Sequence, residues 1–184
     1  MRGSLEPVVF SLIVSPERRH AIKPGQFPTE EQLKDYTINQ ALAGDTTGAR
    51  QSVSGIANRT YLREAWQTIL FVEAGHRNVQ GVKDTIASCP DQSLLRCHTY
   101  RDIPLDFLKD GNLAGAIEIA QTMGDFGVFP LMLIAVNLID KGDCLRVHEM
   151  LPCIADDGIR TFIINMMEER QSKDRNRPDL SQPD

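Results

Sequence analysis

The residues best suited to chemistry in this sequence are two cysteines and a histidine in its last third. Cys144 and His148 are four residues apart, so on a helix they share one face and could reach the same metal ion. Cys153 comes nine residues after Cys144, points elsewhere on an ideal helix and has no Cys-x-x-Cys partner. A structural zinc site uses four ligands at tight spacings. We therefore expect no metal, with a metal- or thiol-dependent protein using Cys144 and His148 as an alternative.

The other reactive residues are poorly arranged for catalysis. The neighbours Cys97 and His98 face different directions on a helix, so they make a poor nucleophile–base pair. Asp156 and Asp157, followed by Gly158, fit a turn and a helix cap. The phosphate-binding patterns Gly-x-x-x-x-Gly-Lys-Ser/Thr and Gly-x-Gly-x-x-Gly are both absent from the sequence. We therefore predict a protein that is not an enzyme and uses no cofactor.

Composition limits the partners and the compartment. The chain of 184 residues has a net charge of −5, whereas nucleic-acid surfaces need an excess of lysine and arginine to neutralise phosphates. No apolar run approaches the roughly 20 residues that span a bilayer. The four cysteines fall within predicted helices or at their ends, as buried thiols in a reducing compartment do. We predict a cytoplasmic protein with no nucleic acid partner and no membrane span.

A short turn that occurs four times in the sequence indicates the helices that must position these side chains. The copies align on Asp45, Asn78, Asn112 and Asp143, at steps of 33, 34 and 31 residues. Asp and Asn are good helix N-caps, because the side-chain oxygen accepts a hydrogen bond from a free N–H of the first turn. In three copies a glycine precedes the cap, where it can end the previous helix in a left-handed conformation. Each copy predicts a helix, a turn and a second helix.

Apolar residues keep the same register around the four turns. Spacings of three and four residues place them on one stripe of each helix. The columns lie four, eight and eleven residues after the cap and nine and twelve before it: Ala49, Val82, Ala116 and Val147; Val53, Ile86, Ala120 and Leu151; Ile56, Cys89, Met123 and Ile154; Tyr36, Ile69, Ile103 and Ile134; Leu33, Trp66, Tyr100 and Leu131. Helix pairs repeated every 30 to 40 residues or so are typical of an α-solenoid. We predict an all-α, right-handed α-solenoid of about four helical hairpins with a C-terminal capping helix.

Three segments of the chain differ in composition. Residues 1–28 hold an apolar run, a basic cluster and four prolines, which predicts an irregular N-terminal arm. The helical hairpins and the capping helix occupy residues 29–171. Residues 172–184 are charged, contain proline and are almost free of apolar side chains, which predicts a disordered tail.

Caps and prolines predict where individual helices begin and end. Thr29, with Gln32 three residues later, has the arrangement of a capping box and should open the first helix. Pro104 should kink or break the first helix of the third hairpin, and Pro152 can end the last hairpin early. A ninth helix from Ile159 to about Gln171 carries one apolar stripe and should cover the last hairpin. The hairpin helices are predicted at residues 30–42, 46–57, 61–73, 79–88, 93–109, 113–122, 128–140 and 144–154.

The register resembles that of tetratricopeptide repeats over residues 29–171. That family has a large aromatic residue near the start of the first helix, a leucine-like residue three positions on, a Gly-Asp turn and then an alanine. The matching residues here are Trp66 and Tyr100; Ile69, Ile103 and Ile134; Gly44-Asp45 and Gly142-Asp143; and Ala49 and Ala116. The closing proline of the family's repeat unit is missing at the expected place.

The resemblance implies that the first helix of each hairpin lines a concave groove that binds peptides or helices. By that resemblance, the groove-facing positions lie fourteen, eleven and seven residues before each cap. In the first hairpin they are Glu31, Lys34 and Ile38. The predicted partner-binding residues of the other three hairpins are Glu64, Gln67, Phe71, His98, Arg101, Leu105, Phe129, Met132 and Val136. The last three would form an apolar patch, which usually marks a binding site unless the chain itself covers it.

These expectations together predict a non-catalytic protein–protein interaction module. It would act as an adaptor, a scaffold or a chaperone-like protein that binds a peptide or helix of a partner. A different possibility is a self-associating structural protein, a homo-oligomer in which the apolar arm within residues 1–28 is exchanged between subunits.

Overall fold

The computed structural model describes residues 29–95 and 100–175, and these residues form helices with no β-strand among them. The α-helices are α1 (Glu30–Leu42), α2 (Thr46–Ser52), α3 (Arg59–Gly75), α4 (Val79–Ser88), α5 (Ile103–Lys109), α6 (Leu113–Thr122), α7 (Val128–Asp140), α8 (Cys144–Met150) and α9 (Asp157–Arg175). Short 3₁₀ turns occur at Val53–Gly55, Gln92–Leu94, Tyr100–Asp102, Gly124–Gly127 and Leu151–Cys153. The predicted all-α class is confirmed.

The four aligned turns share one hydrogen-bond pattern. Each cap side chain accepts a hydrogen bond from the backbone N–H three residues later, at 2.8 Å for Asp45, 3.0 Å for Asn78, 2.9 Å for Asn112 and 3.4 Å for Asp143. The backbone N–H of each cap donates to the carbonyl five residues earlier, at 2.9 to 3.0 Å. That bond closes the preceding helix as in a Schellman motif. The four N-caps predicted from the sequence are confirmed.

The residue before each cap adopts a positive φ. Three of these residues are glycines, Gly44 at 91°, Gly111 at 83° and Gly142 at 77°. Glycine reaches this region without steric cost because it has no Cβ. In the second turn the position belongs to Arg77, at 57°, the one non-glycine residue with a positive φ in the described part of the chain.

Two helix ends differ from their predicted positions. α2 ends at Ser52 and gives way to a 3₁₀ turn, so it is shorter than the predicted helix at 46–57. α3 begins at Arg59, two residues earlier than predicted. The reason is Asn58, whose side-chain oxygen accepts hydrogen bonds from the first N–H groups of α3 at 3.0 and 3.3 Å.

The last helix is longer than its apolar stripe predicted. α9 continues to Arg175, past the predicted end at Gln171, and its final turns carry an ion pair between Lys173 and Glu169 at 2.6 Å. Such pairs at a spacing of four residues stabilise exposed helix ends. Residues 176–184, the remainder of the predicted tail, and residues 1–28, the predicted arm, lie outside the described residues.

The two helix-ending prolines act as predicted. Pro104 lies in the first turn of α5, where its missing N–H removes no intrahelical bond. Within the described residues, 3₁₀ turns at Gln92–Leu94 and Tyr100–Asp102 and the short α5 take the place of the long helix predicted at 93–109. Pro152 follows α8 in a 3₁₀ turn, so that α8 ends at Met150.

The helices pack around one continuous hydrophobic core. Across each of the four turns the two joined helices contact each other, and further contacts join α1 to α3, α4 to α6, α5 to α7 and α7 to α9. Every member of the five predicted apolar columns is buried except Leu33, Tyr36 and Leu151, which are partly buried. The column of Ala49, Val82, Ala116 and Val147 is completely inaccessible, which allows close approach of the paired helices.

Candidate partner-binding face

The predicted partner-binding residues lie on α3, on α5 and the turn before it, and on α7. Four of them are exposed: Glu64, Phe71, Arg101 and Phe129. Gln67, Leu105, Met132 and Val136 are partly buried. His98 lies outside the described residues. The two phenylalanines are 37% and 44% exposed, an unusual fraction for so large an apolar side chain.

The same contact between neighbouring helix pairs occurs twice on this surface. The Lys34 ammonium lies 3.4 Å from the Glu64 carboxylate and 5.1 Å from the centre of the Tyr61 ring. The Arg101 guanidinium lies 5.6 Å from the centre of the Phe129 ring. Lys34 and Arg101 both precede their caps by eleven residues, and Glu64 and Phe129 precede theirs by fourteen. The predicted groove positions are therefore adjacent on one surface at both ends of the described chain.

Gln67 forms a hydrogen bond within the fold. Its side-chain amide donates a hydrogen bond to the Leu94 carbonyl at 3.0 Å. Leu94 belongs to the 3₁₀ turn that follows α4, so Gln67 fastens this turn to α3. Its amide nitrogen is thus committed to the fold, leaving Glu64 and Phe71 as the more accessible side chains of α3.

A cavity of about 460 Å³ opens between the C-terminal end of α3 and the beginning of α5. Its lining residues are Phe71, Ala74, Gly75, Arg77, Asp102, Ile103, Asp106 and Lys109. Asp102, at the end of a 3₁₀ turn, and residues of α5 form one side of the opening. We call this cavity the Phe71 pocket. Its volume falls within the roughly 300–1,000 Å³ that is usual for ligand sites.

Charged side chains surround the Phe71 pocket, and most of them are paired. Lys109 lies 2.8 Å from the Asp106 carboxylate, and the Arg77 Nε lies 2.5 Å from Asp110. The hydrogen bond that Lys109 donates to Asp106 raises the pKa of Lys109, and the charges of Asp102 and Asp110 add to this effect. Asp102 is exposed, and its carboxylate forms no hydrogen bond or ion pair with the described residues. The lining therefore combines apolar side chains with two cations, Arg77 and Lys109, and two carboxylates, Asp102 and Asp106.

A second depression, of about 620 Å³, lies beside α2 and α4, with Trp66 and Arg50 in its lining. Arg50 is already engaged there. Its guanidinium donates to Glu73 Oε1 and Thr85 Oγ1, both at 3.2 Å. Because Glu73 balances the charge of Arg50 within the protein, this depression offers a ligand mainly hydroxyl groups and apolar side chains. The indole Nε1 of Trp66 is buried without a hydrogen-bond partner.

The residues Cys144, His148 and Cys153, considered for metal or thiol chemistry, lie on α8 and in the 3₁₀ turn that follows it. Cys144 and Cys153 are partly buried free thiols, and His148 is exposed. Within residues 29–95 and 100–175, no group of three or more His, Cys, Asp or Glu side chains is close enough to hold a metal ion. Burial raises the pKa of the Cys89 thiol, which disfavours the reactive thiolate. Cys97 and His98 lie outside the described residues.

None of the helices in the described ranges combines the length and the apolar character that a bilayer crossing requires. Comparisons with protein-family models, curated proteins and solved structures give no match to this chain.

The sequence pattern missed the charged rim of the Phe71 pocket. Asp102 and Asp106 are not among the predicted groove residues. The groove positions are counted at fixed distances before the cap, as if the helix at 93–109 continued regularly through Pro104. The one available signal was Pro104, which predicted a break in that helix.

Proposed function

We propose that this chain is a tetratricopeptide-like helical repeat protein whose four helix pairs form a right-handed solenoid closed by α9. Three observations support this architecture: the identical hydrogen bonds of the four turns, the buried apolar columns, and the contacts that pass from each helix pair to the next. Stacked pairs of this kind create a concave surface along their first helices.

The proposed function is non-catalytic binding of a peptide or helix from a partner protein on that surface. The observation that carries the proposal is one contact that occurs twice, between the residue eleven positions before one cap and the residue fourteen positions before the next: Lys34 with Glu64, and Arg101 with Phe129. It supports one continuous face along the first helices. Phe71 and Phe129 are exposed on this face, and partly buried Met132 lies beside them in the predicted register. Aromatic and methionine side chains are enriched in the cores of protein interfaces.

The test is affinity capture from an extract of the source organism, followed by affinity measurement with the purified partner. The variant Phe129→Glu places a charge on the proposed face. The matched control is Leu145→Glu on α8, because Leu145 is 71% exposed and lies off that face. We expect Phe129→Glu to weaken binding at least tenfold and Leu145→Glu to change it less than twofold, with both proteins folded by circular dichroism. Equal effects of the two substitutions would contradict the proposal.

A further inference from the structure

We infer that the depression beside α2 and α4 binds a small apolar molecule that carries a carbonyl or carboxylate oxygen. We call this surface the Trp66 depression. Its lining residues are Thr47, Arg50, Gln51, Val53, Ser54, Ile56, Leu62, Trp66, Ser88 and Pro90. The predicted groove residues are not among them, so this inference concerns a second site and does not rest on the proposed function.

The lining of the Trp66 depression is uneven in charge, unlike that of the Phe71 pocket. The described residues that line it include one cation, Arg50, and several hydroxyl groups, but no aspartate or glutamate. Glu73, which balances the charge of Arg50, is 3% exposed and is not part of the lining. Apolar side chains with a few polar groups are typical of small-molecule sites, and so is a volume of about 620 Å³.

The Arg50 guanidinium retains N–H groups that a ligand could use. A guanidinium has five N–H groups. Three of them are engaged: Nη1 donates to Glu73 Oε1 and to Thr85 Oγ1, and Nη2 donates to Thr47 Oγ1, each at 3.2 Å. The Nε–H and one N–H of Nη2 have no acceptor among the described residues. Arg50 can therefore donate to an oxygen of a ligand while it stays bound to Glu73.

The indole of Trp66 adds a further donor. Trp66 is 3% exposed, and its Nε1 has no hydrogen-bond partner among the described residues. Buried polar groups in folded proteins are nearly always hydrogen-bonded, and an indole nitrogen can only donate. An oxygen atom that enters the depression next to the indole ring would give this N–H an acceptor.

These donors distinguish an acceptor group from a donor group. A carbonyl or carboxylate oxygen accepts from the free N–H groups of Arg50 and Trp66. An ammonium group can only donate, and the described lining residues offer it no carboxylate. The apolar lining residues, among them Val53, Leu62 and Pro90, would contact the apolar body of the ligand.

The experiment titrates the full chain with three probes that share an eight-carbon body: octanoate, 2-octanone and octylammonium. Trp66 is the sole tryptophan, so its fluorescence reports binding, and ligand-observed NMR gives a second readout. We expect octanoate and 2-octanone to bind at least fivefold more tightly than octylammonium. The net charge of −5 favours octylammonium at any non-specific site, so non-specific binding predicts the opposite order for the two ions.

Binding of 2-octanone without binding of octanoate would support the inference and restrict the ligand to neutral carbonyl compounds. Octylammonium binding as tightly as the other two probes would overturn the inference. Absence of binding by both octanoate and 2-octanone would overturn it as well.

One variant shows where the probes bind. Ser88→Phe places a large side chain at an exposed lining position at the end of α4 and should weaken the tighter of the two oxygen-bearing probes at least tenfold. The matched control is Gln171→Phe, at an exposed position of α9, which should change that affinity less than twofold. An equal loss in both variants would overturn the assignment to this depression. Melting temperatures exclude loss of fold as the cause.

A second variant tests the indole donor itself. Trp66→Phe keeps an aromatic ring and removes the N–H, so by NMR it should weaken the same probe several-fold and leave octylammonium unchanged. An equal loss for the two probes would show that the ring contributes packing alone, and would contradict the role of this donor. Phe129→Glu, which tests the proposed function, should leave binding of the oxygen-bearing probe within twofold. The two proposals can therefore fail separately.

Discussion

Arg77 occupies a backbone position that the other three turns give to glycine. Its φ of 57° places the Cβ close to the following carbonyl, a strain of about 1 kcal/mol or more. Its side chain bonds Asp110 and lies 5.7 Å from the centre of the Phe107 ring. An exposed ion pair contributes roughly 0–1 kcal/mol to stability, which is similar in size to the backbone strain at Arg77. The side-chain contacts of Arg77 therefore offset much of that strain. Arg77 also lines the Phe71 pocket.

Two substitutions at Arg77 separate the backbone strain from the side-chain contacts. Arg77→Gly and Arg77→Ala both remove the contacts with Asp110 and Phe107, but only glycine also relieves the strain. We therefore expect the glycine variant to be more stable than the alanine variant by about 1 kcal/mol in urea unfolding. Asp110→Asn serves as the control, because it removes the ion pair and leaves the backbone unchanged. Equal stability of the two Arg77 variants would show that the turn is not strained.

At the scale of elements, one buried carboxylate joins three helices. Glu73 on α3 is 3% exposed and accepts hydrogen bonds from Thr46 at 2.5 Å, from Arg50 at 3.2 Å and from Asn78 at 2.7 Å. Thr46 and Arg50 belong to α2, and Asn78 caps α4. The Arg50 side chain is itself only 15% exposed. Burying a carboxylate is tolerable here because a cation and two donors satisfy it.

Removing one partner of this network should cost more than removing both. Glu73→Ala strands the Arg50 guanidinium, so we expect a loss of about 3 kcal/mol in the free energy of unfolding. Arg50→Ala strands the carboxylate in turn. In the double variant no buried charge is left unpaired, so its loss should be clearly smaller than the sum of the two single losses. Chemical denaturation of the four proteins gives this coupling energy.

The exposed ion pair between Lys83 and Glu118, at 2.7 Å, provides the control cycle. It links α4 to α6 in the same way that Arg50 and Glu73 link α2 to α3, but its carboxylate is half-exposed. We expect a coupling energy of less than about 1 kcal/mol for it. A coupling energy at Glu73 as small as this would mean that the buried network does not hold α2 against α3.

The helices and their caps could be predicted because their signals are local. An Asp or Asn cap such as Asn112 and an apolar stripe such as that of α6 act within a dozen residues of sequence. The burial of Glu73 could not be predicted, since a glutamate near a helix end is usually solvated and two of its three partners, Arg50 and Thr46, lie 23 and 27 residues away. The Phe71 pocket depends on where α5 lies relative to α3, which is a property of packing and not of either helix alone.

At the scale of the whole molecule, contact between α4 and α6 joins the first two helix pairs to the rest. The helices approach closely at Gly115, where an added Cβ would lie 2.6 Å from the Val79 side chain. Lys83 and Glu118 bridge the same interface. Because the hydrophobic core is continuous across it, the described domain should unfold as one cooperative unit. Trp66, the sole tryptophan of the chain, lies on α3, so its fluorescence reports on the unfolding of the first two helix pairs alone.

Gly115→Leu should separate the two sides, because the leucine side chain would wedge α4 away from α6. In the unmodified chain we expect the urea transition seen by Trp66 fluorescence to coincide with that seen by far-ultraviolet circular dichroism. In Gly115→Leu the two transitions should diverge, with a total destabilisation of about 1–3 kcal/mol. Gly115 also follows the Asn112 cap, so Asn112→Ala is the control: losing the cap alone costs about 1 kcal/mol and should leave the transitions coincident. Coincident transitions in Gly115→Leu would show that the two sides are coupled through other contacts, such as the ion pair between Arg77 and Asp110.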